Sequence, residues 1–139
     1  MNKNFLITSV VAGITLFALG ALLYGFLLMD YFTAAAGVEG LYKNPPDFLF
    51  LSLGELLTAT ALTLVVVTWA GTRDFMAGLK AGSMFGLLIG LGFNLTMYAT
   101  ANIGTLTSAS VDIVVVIIRF GITGGVAALV MSKLSGSDE

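Results

Sequence analysis

A chain of 139 residues with 58% hydrophobic and 10% charged residues cannot cover a globular surface with polar groups; a soluble domain carries about 25% charged residues. Lipid must therefore be its solvent, and the length allows a single domain, 1–139, with about four membrane-crossing helices of ~20 residues each. The net charge of -2, with no basic patch, argues against nucleic acid as a partner. The absence of cysteine and histidine excludes disulfides, thiolate chemistry, haem ligation by those residues and the usual zinc sites, so no metal and no cofactor is expected.

In chain order, the first helix is predicted from about Phe5 to Met29. Lys3 ahead of it and Ala34-Ala35-Ala36 after it are the marks of a cleaved leader. The apolar run is, however, much longer than the 7–15 residues of a leader core, which favours a retained helix. Residues 30–47 read as a loop, punctuated by Gly37, Gly40 and Asn44-Pro45-Pro46, with Tyr31, Phe32, Leu41 and Tyr42 suited to the membrane interface. Asp30, at the C-terminal end of the first helix, opposes the helix dipole there and is expected to be solvated or to face Lys43.

Pro46-Asp47 is good chemistry for a helix start, and the second helix is predicted over 48–69, closing on the belt residue Trp69. After the polar turn Gly71-Thr72-Arg73-Asp74, the third helix runs over 75–101. The fourth is predicted over 111–131, with Ser110 as its N-cap and Asp112 in its first turn, followed by a loosely held polar tail, 132–139. Ser83, Thr60 and Thr63 are expected to bond backbone within their helices. The fold class is thus an all-α membrane protein, a four-transmembrane-helix bundle. Lys3, Arg73, Lys80 and Lys133 fall on one side and Lys43 on the other, so the positive-inside rule puts both termini in the cytoplasm, N-in and C-in, in the inner (plasma) membrane.

The third helix carries the chain's most regular pattern. Gly78, Gly82, Gly86 and Gly90 recur every four residues, and the same register continues through Asn94 to Tyr98. On an α-helix these positions share one face, and in lipid small residues at this spacing let a second backbone approach closely. The glycines are read as a helix-packing seam that turns polar at one end.

Each helix also contributes one polar side chain to a common layer. Glu55, Arg119, Asn94 and Tyr24 all lie ~9–12 Å below the same membrane face at 1.5 Å per residue. An unpaired charge at such depth costs ~2.5–3.5 kcal/mol, so Glu55 and Arg119 are expected to pair, with the arginine fork gripping the carboxylate bidentately and donating further to Asn94 or Tyr24. Asp112, seven residues before Arg119, is the competing partner. Such a layer is either a register-fixing ion pair with hydrogen-bond glue or a pocket lined by Arg119, Glu55, Asn94 and Tyr24 with Tyr98, Asp30 and Asp112 at its mouth. No nucleophile–base–orienter set supports catalysis, and the six methionines are scattered as packing residues.

LGALLYGFLL at 19–28, GLLIGLGFNLTMY at 86–98 and RFGITGGVAALV at 119–130 together resemble a family of small four-helix bacterial membrane proteins catalogued only as a domain of unknown function. The resemblance covers most of the chain; it implies the architecture and no chemistry. Two readings of function follow. In one, the protein binds or moves a small amphipathic or anionic ligand, a lipid or other small molecule, through the pocket around Arg119. In the other it is a structural or accessory subunit, whose glycine helix mediates homo-oligomerisation or docking to another membrane protein.

Overall fold

A computed structural model describes residues 2–136, all of whose regular structure is helical. Four of the helical stretches are long and apolar enough to cross a membrane: Lys3–Leu27, Phe48–Trp69, Phe75–Thr100 and Leu106–Gly136. The first is α1 (Lys3–Gly20) continued by a π-helical turn over Ala21–Leu27, and the second is α3 (Phe48–Thr63) continued likewise over Leu64–Trp69. Between them lies α2 (Met29–Ala36); α4 (Phe75–Thr100) and α5 (Leu106–Gly136) complete the chain.

Local chemistry sets most of these ends. The Asn2, Asp47 and Asp74 side chains accept hydrogen bonds from the free N–H groups of Phe5, Phe50 and Ala77 (2.9, 3.3 and 3.0 Å), each cap being worth about 1 kcal/mol. At the opposite pole of α3's continuation, the Arg73 guanidinium donates to the carbonyls of Val67 and Thr72, both at 2.8 Å. A cation there also suits the negative end of the helix dipole.

Several expectations change. The 30–47 segment is not all loop, because α2 forms at its start and ends at Gly37, whose φ of 68° a side chain would strain. The chain turns at Leu28, so Asp30 sits exposed in the first turn of a new helix, where its charge favours the dipole. The fourth long helix begins at Leu106 rather than 111. Thr105 and Ser108 cap it reciprocally, with Thr105 Oγ1 accepting from the Ser108 N–H (3.1 Å) and Ser108 Oγ from the Thr105 N–H (2.9 Å). Ser110 instead donates to the Leu106 carbonyl inside the helix, at 2.9 Å. At the other end α5 continues through Ser132 to Gly136, where a loose tail was expected; Ser137–Glu139 lie outside the described residues.

α5 is the central element. In its most apolar stretch 50% of residues are buried, against 22–28% in the other three long helices. It packs against α4 along one side and α1 on another, and α1 in turn packs against α3. Small residues let α1, α3 and α5 meet closely: Ala12, Ala59 and Ala127 are fully buried around Leu16, Leu62 and Val66. Among the helix hydroxyls, Thr60 donates to the Leu56 carbonyl (2.8 Å) as expected. The buried hydroxyls of Ser9, Thr63 and Thr123 have no hydrogen-bond partner, which corrects the reading of Thr63.

The glycine register meets α5 of the same chain. A Cβ at Gly78 would overlap the Gly124 carbonyl, one at Gly82 the Phe120 carbonyl, and one at Gly86 would come within 2.8 Å of Phe120 Cβ. Gly90 is different, with 3.5 Å of ordinary clearance to Ile113 and Val116. The fit is reciprocal, since a Cβ at Gly124 would stand 2.6 Å from the Gly78 carbonyl and one at Gly125 2.6 Å from the Phe75 ring. α4 and α5 therefore touch backbone to backbone, and that spacing carries their polar ends together further along the stripe.

Candidate functional site

Arg119, on the buried side of α5, meets Glu55 from α3: its Nη2 donates to Glu55 Oε1 at 2.7 Å. The same nitrogen donates to the Leu16 carbonyl of α1 at 3.0 Å, and the guanidinium carbon lies 5.2 Å from the centre of the Tyr24 ring. The side chains of Arg119 and Glu55 are only 9% and 17% exposed, so the pair is held out of water. Its grip is single rather than the expected bidentate fork. Arg119 also lies over the Tyr24 ring, and its buried Nε has no partner. Because α5 starts at Leu106, Arg119 lies 13 residues along it, ~20 Å from that end rather than ~12 Å.

Room for the guanidinium comes from Gly20, which the sequence reading passed over. A Cβ there would stand 2.7 Å from Arg119 Nη2. Its signal was present but weak: Leu16, Gly20 and Tyr24 repeat every four residues along the first long helical stretch, presenting a carbonyl, a gap and a ring. Tyr24 itself sits in the π-helical turn, whose wider hydrogen bonding (Leu28 N–H to the Leu23 carbonyl, 2.9 Å) re-aims side chains relative to the α-helix before it.

The Tyr24 hydroxyl donates to Asp112 Oδ1 at 2.5 Å. Asn94 Nδ2 donates to Asp112 Oδ2 at 2.7 Å and to the Gly90 carbonyl at 3.0 Å. Asp112 is therefore the partner of Tyr24 and Asn94, and Glu55 the partner of Arg119. One chain of contacts, Glu55–Arg119–Tyr24–Asp112–Asn94, links all four long helices, with Tyr24 as the joint between the Glu55–Arg119 ion pair and the Asp112 carboxylate.

The expected single pocket divides at that joint. A cleft of about 390 Å³ opens at the α2 end of the bundle, lined in part by Phe32, Phe93, Asn94, Tyr98 and Asp112. Arg119, Glu55 and Tyr24 are not among its lining residues, whereas Tyr98, the last step of the glycine register, is an exposed wall of the cleft. α2 roofs the cleft. Phe32 packs on Tyr24 with ring centroids 5.5 Å apart, and the Gly104 N–H donates to the Ala36 carbonyl at 3.4 Å, tying the α4–α5 turn to α2. Asp30 is not a lining residue. Among the described residues no three carboxylates gather as metal ligands.

Compared with family models, with curated proteins and with solved structures, the chain finds no match.

Proposed function

We propose that the protein is a four-span membrane protein of the inner (plasma) membrane, both termini cytoplasmic, that binds a small amphipathic ligand in the cleft at its α2 end. The observation that carries this reading is the cleft itself: about 390 Å³, mostly apolar in its walls, with the polar groups of Asp112 and Asn94 converging in it. A concave apolar site with a few placed polar groups is the general form of a small-molecule pocket. The Arg119 charge is engaged by Glu55 and the Leu16 carbonyl outside the cleft lining, so nothing there favours an anionic ligand. The reading as an oligomerisation subunit is weakened in turn, because the glycine face is covered by α5 of the same chain. The resemblance to small four-helix membrane proteins accords with the architecture and adds no chemistry.

The charge distribution supports the orientation: Lys3, Arg73, Lys80 and Lys133 lie toward one membrane face and Lys43 toward the other. The chain has no native cysteine, so single-cysteine variants report cleanly. Val38→Cys and Tyr98→Cys should react with an impermeant maleimide from outside the cell, and Ser135→Cys only after the membrane is opened. Labelling of Val38→Cys and Ser135→Cys from one side rejects the four-span topology.

Ligand binding is tested by filling the cleft. Ala109 is one of its lining residues, and Ala109→Trp should occupy the space without touching the Glu55–Arg119 pair. In a thermal-shift screen of amphipathic compounds on the purified protein, ligands of the cleft should raise the melting temperature of the wild type by several degrees, as mass action requires at ligand concentrations far above Kd. They should leave Ala109→Trp unmoved. Equal shifts in both proteins place the binding elsewhere.

A further inference from the structure

We infer that the cleft selects an organic cation, an ammonium or phosphonium centre carried on an apolar body, with Asp112 as its counter-charge. The inference rests on the reading of the cleft as a ligand site and adds the chemical class of its occupant.

The first ground is charge. Among the described residues that line the cleft, Asp112 carries the one formal charge, and no lysine or arginine lines it. The two Asp112 oxygens are held by neutral donors, the Tyr24 hydroxyl and the Asn94 amide, which orient the carboxylate without cancelling it. The nearest cation along α5, Arg119, is turned to Glu55. A carboxylate has about four lone-pair sites, and these two hydrogen bonds leave capacity for a further positive group.

The second ground is the walls. Phe32, Tyr42, Phe93 and Tyr98 line the same cleft, so a cation beside Asp112 would have aromatic side chains around it. Rings attract cations through their quadrupole, most strongly where water is thin, and the remaining apolar lining suits the ligand's body. The third ground is the approach. The segment 30–47, which contributes Leu41 and Tyr42 to the cleft, carries Asp30, Glu39 and Asp47 against Lys43 alone. A segment of net negative charge beside the cleft favours the approach of cations over anions. An anion of the same shape would meet the Asp112 carboxylate, with no lysine or arginine in the lining to offset it.

The test uses two ions matched in shape and opposite in charge, tetraphenylphosphonium and tetraphenylborate, with the full-length protein in uncharged detergent. Binding is read by equilibrium dialysis with protein-free micelles subtracted. The wild type should bind the phosphonium at least about tenfold more tightly than the borate, the size of effect that a close charge pair supports. Asp112→Asn should lose that preference, chiefly through weaker phosphonium binding. Ala109→Lys, which leaves Asp112 in place and introduces an ammonium into the cleft, should do the same and keeps the test open should Asp112→Asn fail to fold.

Equal binding of the two ions, both blocked by Ala109→Trp, overturns the cation preference while leaving the cleft as a ligand site. Preference for the borate overturns it as well. Saturable binding of neither ion also overturns it, and the site itself then stands or falls on the wider thermal-shift screen.

Discussion

Gly82→Ala should be among the most damaging single methyls that can be added to this protein, lowering its stability by about 3 kcal/mol. The new Cβ would overlap the Phe120 carbonyl, with the Gly124 Cα 3.2 Å away, and neither is the movable end of a flexible side chain. Relief requires α4 and α5 to separate. Other glycines on the same helix supply the controls. At Gly90 the nearest atoms are 3.5 Å away, and Gly90→Ala should cost little. At Gly92 a Cβ meets nothing within 4 Å, so Gly92→Ala should be neutral or stabilising by up to ~1 kcal/mol, because alanine is the better helix former. The order Gly82, Gly90, Gly92 should appear in thermal or denaturant unfolding of the purified protein. Equal losses at Gly82 and Gly92 would show that the two backbones do not touch. Since Asn94 stands three register steps beyond Gly82, forcing the helices apart should also loosen its 2.7 Å contact with Asp112 and weaken binding in the cleft.

The second large effect lies at Glu55 and Arg119. Breaking a buried ion pair by removing one partner costs ~3–5 kcal/mol, because the other charge is left in a medium that cannot solvate it. With both side chains less than a fifth exposed, Glu55→Gln and Arg119→Gln should each fall in that range. Arg119→Gln also removes the donor to Leu16 and the cation above Tyr24. It should be the worse of the two. The double substitution should recover much of the loss, since neither charge is stranded, and a double-mutant cycle in unfolding free energy measures the coupling. Strictly additive losses would reject the pairing. The recovered double variant should still bind ligand, as neither residue lines the cleft. Under the proposed function, loss of stability and loss of binding are thereby separable: the first should follow changes at Glu55–Arg119, the second changes at Asp112.

Much of this architecture is written in neighbouring residues. Length of apolar run marks the four long helices, and local caps such as Asp47 and Asp74 mark where two of them begin. The four-residue spacing from Gly78 to Asn94 is likewise a property of one helix, and all five of these residues are buried on a single face. Where local signals compete, reading them in isolation fails. Ser110 is an acceptable N-cap, but the reciprocal Thr105–Ser108 bonds satisfy two free donors at once and start α5 five residues earlier. The π-helical turn that aims Tyr24 has no comparable local mark.

The partners of the polar side chains belong to the tertiary structure alone. Depth along a helix follows from sequence, but rotation about its axis and the order of its neighbours do not, and in lipid both are set by close packing rather than by hydropathy. Glu55 and Asp112 were both candidates for Arg119. The choice fell to Glu55 because α5 sits between α1 and α4: one side of it faces Gly20, whose missing side chain admits the guanidinium, and another faces Asn94, whose amide takes the Asp112 carboxylate. That division, with Tyr24 bridging the two halves, also separates the buried ion pair from the cleft, which is why the charged side chain lining the cleft is Asp112 and not Arg119.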